Sequence, residues 1–232
     1  MGILTDARTL FALARGAGHG GSHAERLSRF YGGQAEQYDR FRDRLLHGRR
    51  ELIALLPAQS DSHIVELGGG TGRNFEFFGA RLAEFASATI VDLCEPLLAI
   101  ARGRYRNNPN ISCVLDDATR WQPEALVDCV YFSYSLTMIP DWRAAVANAL
   151  RMLRSGGLLG VVDFHVPASA GALSRAFWPR WFAHDGVHLS AEHLPHLRAA
   201  LDTVTLQERL APVPYLPGAR VPYYVFLGRK RR

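Results

Sequence analysis

The stretch Ile64-Val-Glu66-Leu-Gly68-Gly-Gly70-Thr-Gly72-Arg-Asn74 decides how this chain is read. It opens as a short β-branched run, passes through glycines and enters a segment with helical character. Glycines at such a junction let the backbone turn tightly and press against a bound ligand. Gly68, Gly70 and Gly72 recur at every second position, and Glu66 stands two residues before the first of them. A glycine-rich turn that binds nothing is the competing reading, and the surrounding chain decides between the two.

Downstream of the loop, residues 75–84 read as a helix, 88–92 as a strand and 96–105 as a helix with Pro96 in its first turn. Residues 111–115 form a third strand closed by Asp116-Asp117. Residues 128–134 form a fourth, 141–153 a helix closed by Gly156-Gly157, and 158–164 a fifth strand. With 63–67 as the first strand, this alternation predicts βαβ units and a mostly parallel sheet. The end differs: 201–208 and 221–227 read as two strands with no helix between them, an antiparallel pair. Upstream, a helix starts at Ser22 as N-cap and stops at Gly32-Gly33. Residues 34–46 continue as a helix with Tyr38, Phe41 and Leu45 at helical spacing, and 49–56 form a third ended by Pro57. Residues 1–22 are read as a flexible lead and 23–232 as one domain, of which 23–57 is a helical cover.

Acids follow the strands. Asp92 closes the second strand about twenty residues past the loop, where a carboxylate accepts hydrogen bonds from ribose hydroxyls. Asp117 follows the third strand, in reach of an adenine amino group. Acids at the C-terminal ends of successive parallel strands converge on one crevice. Two nucleotide cofactors compete for it. A dinucleotide fingerprint, G-x-G-x-x-G, needs a small residue where Arg73 stands, and its pyrophosphate suits a helix N-terminus. S-adenosylmethionine has no phosphate, and its sulfonium and amino group are cationic, so an acid beside the loop helps.

Glu66, Gly68, Gly70 and Gly72 reproduce the E-x-G-x-G-x-G pattern, and over roughly residues 25–230 the chain resembles the class I S-adenosylmethionine-dependent methyltransferases. The resemblance implies a Rossmann-like α/β fold: a seven-stranded, mostly parallel sheet with an antiparallel last strand and helices on both faces. It implies S-adenosyl-L-methionine as cofactor, held by Tyr31, Glu66, Gly68, Gly70, Gly72, Asp92, Leu93, Asp117, Ala118 and Ser133. The N-terminal helices, with Tyr31 and Tyr38, would cover the cofactor, and a tyrosine face attracts a sulfonium or methylated ammonium.

A narrower resemblance rests on Phe30-Tyr-Gly-Gly-Gln-Ala-Glu-Gln-Tyr-Asp-Arg-Phe-Arg-Asp-Arg-Leu-Leu-His-Gly-Arg-Arg50, Ser135-Leu-Thr-Met-Ile-Pro-Asp-Trp142 and Val162-Asp-Phe164. These segments are similar to the N-methyltransferases of betaine-lipid synthesis, which trimethylate the amine of diacylglyceryl-homoserine. Methyl transfer from a sulfonium needs positioning and exclusion of water more than a nucleophilic side chain. A proton acceptor still helps. Tyr38, Tyr134 and His165 are the candidates for the catalytic roles, Tyr134 and His165 because they stand at the ends of strands four and five. The segment Arg175-Ala-Phe-Trp-Pro-Arg-Trp-Phe182 combines four large aromatics with two arginines, as an interfacial anchor or a hydrophobic cap over the site would.

The remaining chemistry is bounded by composition. A chain of 232 residues with 48% hydrophobic residues is an ordinary globular domain. No apolar run approaches the roughly 20 residues of a membrane span, and residues 8–15 are too short for a secretory core. Cys94, Cys113 and Cys129 are scattered, as expected of free thiols in a reducing cytoplasm, and no metal site is expected. The net charge of +5 suits an anionic partner, nucleic acid or a phospholipid surface, or serves solubility alone. The resemblance to lipid-headgroup enzymes implies a cytoplasmic enzyme peripheral to a membrane, beside an enzyme that makes its lipid precursor. No nucleic-acid partner is expected, because neither an RNA-binding module nor an aromatic-and-basic platform is present. The alternatives are a small-molecule or quinone methyltransferase of the same fold, a non-catalytic cofactor-binding partner subunit, and an NAD-dependent oxidoreductase, which Arg73 disfavours.

Overall fold

The computed structural model describes residues 39, 43–56, 59–166, 187–214 and 218–232. Seven strands form one sheet in the order β3-β2-β1-β4-β5-β7-β6. The strands are β1 (His63–Leu67), β2 (Ser87–Asp92), β3 (Ile111–Leu115), β4 (Val127–Ser133), β5 (Leu153–Phe164), β6 (Asp202–Pro212) and β7 (Arg220–Arg229). β1 pairs in parallel with β2 and β4, β2 with β3, and β4 with β5. β7 runs antiparallel between β5 and β6. The order reverses at β1, so the crevice beyond the C-terminal ends of β1, β2 and β4 is where an open α/β sheet receives its ligand.

The helices are α1 (Arg49–Leu55), α2 (Glu95–Tyr105), α3 (Trp142–Met152) and α4 (His193–Ala200), with a 3₁₀ stretch at Arg73–Ala83. α1, the 3₁₀ stretch and α2 cover one face of the sheet, where Leu52, Phe75, Phe78, Leu98 and Tyr131 are buried together. α3 and α4 cover the other, around Val146, Leu197, Tyr224 and Phe226. Each fully buried Leu or Phe stabilises the fold by roughly 1.5–3 kcal/mol. β4 is buried along its whole length, as a central parallel strand must be.

Three local readings change. The segment after the loop is a 3₁₀ stretch, kinked at Gly79, whose φ of 59° lies in the left-handed region. α3 ends at Met152, one residue before β5 begins, so Gly156 and Gly157 lie inside β5 and do not cap the helix. That early part of β5 is irregular: Val127 faces Leu153 while Cys129 faces Leu158. Lys230 holds it, donating its amide to the Gly157 carbonyl at 2.8 Å. α4 was not announced by its sequence, since Leu194 and Leu197 are its only bulky apolar residues.

Candidate functional site

Strand β1 delivers the chain into the glycine loop, where Gly68, Gly70 and Gly72 have φ of 73°, 55° and 70°. A side chain is strained in that region, and at Gly68 a Cβ would also stand 2.4 Å from the Cβ of Ser135. The four glycine amides of the loop are consumed inside the protein. Gly68 and Gly69 donate to the Val91 carbonyl, at 2.8 and 3.3 Å, and Gly72 donates to the Gly69 carbonyl at 3.0 Å. The Gly70 amide donates to Asp92 Oδ2 at 2.8 Å. A pyrophosphate would need those donors. Their commitment fits a cofactor without phosphate.

The carbonyl side is held as tightly. Tyr105 donates its hydroxyl to the Gly72 carbonyl at 2.7 Å, and Arg104 donates to the Thr71 carbonyl at 2.8 Å. Ser135 donates to the Leu67 carbonyl at 2.6 Å. Arg104 and Tyr105 carry no signal in the sequence, because the loop backbone they hold lies more than thirty residues away along the chain.

The three acids occupy different places. Asp92 ends β2, half-buried, and its Oδ1 accepts the Cys94 amide at 2.8 Å. With Gly70 on Oδ2, the carboxylate is oriented at the mouth of the crevice. Leu93 follows it, half-buried. Asp117 lies just beyond β3, its Oδ1 accepting both the amide and the hydroxyl of Thr119 at 2.8 Å. Ala118 is buried beside it. Glu66 is fully buried beneath the loop. Its Oε1 accepts from Asn74 at 2.5 Å and its Oε2 from the Tyr131 hydroxyl at 3.0 Å. Gly69 packs over that carboxylate, since a Cβ there would stand 3.0 Å from Glu66. These contacts place Glu66 as the support of the loop from below.

The rim beyond β4 and β5 carries the other candidates. Ser133 is buried, and its hydroxyl has no hydrogen-bond partner among the described residues. Tyr134 adopts φ 55°, a strained value for an aromatic residue. Its ring packs edge-on against Phe164, centroids 4.6 Å apart, and its hydroxyl donates to the His47 carbonyl at 2.7 Å. Burial pushes the Tyr134 hydroxyl far above the ordinary phenol range, and the negative charge of Asp163 adds to it. Tyr134 therefore stays protonated near neutral pH.

Asp163, on β5, is also fully buried, and burial pushes it up to about 6 although Thr137 and the Phe164 amide hydrogen-bond to it. His165 is buried with Nε2 3.6 Å from Glu208 Oε2, too long for a hydrogen bond. Burial lowers its pKa while Glu208 acts to raise it. Its ring lies 5.4 Å from that of Tyr224. Tyr31, Tyr38 and the aromatic segment 175–182 lie outside the described residues. Among the described residues, no group of three or more His, Cys, Asp or Glu side chains could hold a metal ion, and no helix is long and apolar enough to cross a membrane.

Comparison with known proteins agrees with this geometry. Residues 64–157 match the methyltransferase domain family. The chain is 30% identical over 124 residues to trans-aconitate 2-methyltransferase of Methylobacterium radiotolerans, a stretch covering 53% of this chain and 46% of that one. It is 26% identical over 163 residues to the ubiquinone/menaquinone biosynthesis C-methyltransferase UbiE of Pseudomonas fluorescens, covering 66% of this chain and 63% of the relative. The chain thus spans between about half and two thirds of these curated relatives. A solved phosphoethanolamine N-methyltransferase 2 of Haemonchus contortus, in complex with S-adenosyl-L-methionine, shares the fold with a TM-score of 0.74 at 14% identity, over 92% of this chain and 61% of that one. The match to the methyltransferase domain thus spans the glycine loop, Asp92 and Asp117.

Proposed function

We propose that the protein is an S-adenosylmethionine-dependent N-methyltransferase that acts on the amine of a lipid headgroup, with diacylglyceryl-homoserine as the acceptor. The observation that carries the cofactor assignment is the loop whose four glycine amides are spent internally while Asp92 stands oriented at the end of the adjacent strand. The acceptor rests on the likeness of residues 30–50, 135–142 and 162–164 to betaine-lipid N-methyltransferases. The net charge of +5 and the aromatic segment 175–182 favour contact with an anionic membrane surface.

S-adenosylmethionine supplies a methyl group already activated on a sulfonium. The protein's part is then to hold the two reactants in line and to keep water out. Asp92 would accept the hydroxyl donors of the ribose, Asp117 would take the adenine edge, and Gly68, Gly70 and Gly72 would shape the backbone against the cofactor. His165, kept neutral by burial, takes the proton that the amine releases, with Glu208 beside it to stabilise the imidazolium. Tyr134 holds its proton and its bond to His47, so it shapes the rim.

A second reading, methylation of a quinone or another small molecule, is favoured by the match to the ubiquinone/menaquinone C-methyltransferase. One experiment separates them. Purified protein and S-adenosylmethionine are incubated with diacylglyceryl-homoserine vesicles, and in parallel with a demethylated quinone, and the products are weighed by mass spectrometry. Successive gains of one, two and three methyl groups on the lipid support the N-methyltransferase. A methyl gained only by the quinone replaces it with the second reading.

A further inference from the structure

The outer side of the glycine loop is bordered by charged side chains in strict alternation. Asp39 Oδ2 accepts from Arg104 Nη2 at 2.8 Å. Arg104 Nε also reaches Glu76 Oε1 at 3.1 Å. Glu76 pairs with Arg73, and Arg73 Nη2 lies 2.9 Å from Asp43 Oδ2. Asp43 Oδ1 in turn pairs with Arg49 at 2.5 Å. Six side chains thus form one chain of charges with no net charge, drawn from three places far apart in sequence: the residues ahead of and at the start of α1, the 3₁₀ stretch, and the end of α2.

Each end of this chain is fastened to the loop. At one end, Asp39 Oδ1 accepts the Thr71 hydroxyl at 2.8 Å, and Arg104 donates to the Thr71 carbonyl. At the other, Arg49 donates to Asn74 Oδ1 at 3.2 Å, and Asn74 continues to Glu66 beneath the loop. Isolated surface ion pairs contribute little. Here Arg49 is buried and Asp39 and Arg104 are largely covered, while Asp43, Arg73 and Glu76 are about one third exposed; the four inner members each pair with two opposite charges. In such a connected network, mutual orientation makes the group stronger than separate pairs, and the exposed middle members leave it open to screening by salt.

We infer that Asp39 and Arg104 are positioning residues for the cofactor: through this alternating chain they hold Thr71 and the glycine loop in the conformation that binds S-adenosylmethionine. The inference rests on the cofactor assignment of the proposed function. It gives Arg73, unfavourable for a dinucleotide, a place as the central cation of the chain. It also makes cofactor affinity depend on ionic strength through the protein, even for a ligand with no net charge.

The test is calorimetric titration of the full chain with S-adenosylhomocysteine, whose amino and carboxylate charges cancel, at about 0.01 M and about 1 M salt, where the screening length falls from about 30 to about 3 Å. Asp39→Asn keeps the size and an acceptor for Thr71 but removes the charge. It should weaken binding about tenfold at low salt, with the gap to wild type closing to about twofold or less at high salt. Arg104→Lys keeps the charge but not the fork, and should weaken binding similarly at low salt. Melting of the ligand-free proteins shows that each variant is folded, and if Asp39→Asn is not, Arg104→Lys carries the test. Affinities equal to wild type at both salt concentrations, or a gap that salt leaves unchanged, would overturn the inference. Wild-type protein that binds no S-adenosylhomocysteine would instead overturn the cofactor assignment, and this inference with it.

Discussion

The Asp92 carboxylate accepts the Gly70 amide at 2.8 Å, which ties the end of β2 to the apex of the glycine loop. The same group takes the Cys94 amide on its other oxygen, so one side chain shapes the loop and presents a charge to the crevice. Asp92→Ala should weaken S-adenosylmethionine binding by ~1–3 kcal/mol, through loss of a hydrogen-bonded charge and relaxation of the Gly70 turn. Titration calorimetry measures it, and an unchanged affinity would mean that the ribose is held elsewhere.

Gly68 meets Ser135 closely enough to exclude any side chain. Gly68→Ala adds a Cβ 2.4 Å from that of Ser135, at a φ of 73°. Backbone strain and overpacking each cost roughly 1–3 kcal/mol, so the variant should lose stability in urea and bind cofactor poorly. A variant as stable as wild type would show that the loop yields easily and does not depend on this contact.

Tyr134→Phe separates shaping from catalysis. The substitution removes the hydroxyl that reaches the His47 carbonyl, leaving a partly buried acceptor unpaired at a cost of up to about 1–3 kcal/mol. The rate at saturating substrate should change less than tenfold, whereas loss of a general acid or base lowers it by about 10²–10⁴-fold. A fall of that size, in a variant shown to be folded, would return Tyr134 to the chemistry.

Stability in acid should reflect two buried groups of opposite sign. His193 is lowered by burial to about 4 from an ordinary 6.5, with Arg143, His165 and His196 adding to the shift. The stability from its neutral ring is complete above 6.5 and lost as pH falls through about 4. Asp163 is raised by burial to about 6 from 3.8, so its contribution is present below 3.8 and lost as pH rises through about 6. Between about pH 4 and 6 the two slopes oppose each other. Relative to wild type, His193→Phe should therefore lose less stability between pH 7 and 5, and Asp163→Asn should lose more, both read from urea unfolding at each pH. The reverse order would show that neither shift holds in solution.

Much of the sheet was legible because strand and helix patterns depend on near neighbours. β1 and β3 fall at the residues that β-branched content and bounding turns indicate, and β2 and α2 start one residue earlier than read. The start of β5 was hidden, because Leu153-Arg-Ser-Gly156 looks like a helix end until Lys230 pairs with it from the far end of the chain. Within the site, the positions of Glu66, Gly68, Gly70, Gly72 and Asp92 could be read from spacing alone, but not what each touches.

The sequence by itself determined the order of elements, the glycine turn and the acids that follow the strands, because local spacing and backbone preference dictate these. Only the tertiary structure decided that Glu66 lies beneath the loop, bound by Asn74 and Tyr131, while Asp92 stands at its mouth. The same holds for the meeting of Asp39, Arg104 and Thr71 at its outer edge. A charge acquires its role from partners that folding brings near: Asp39 and Arg104 stand 65 residues apart in sequence, yet pair directly and both reach Thr71.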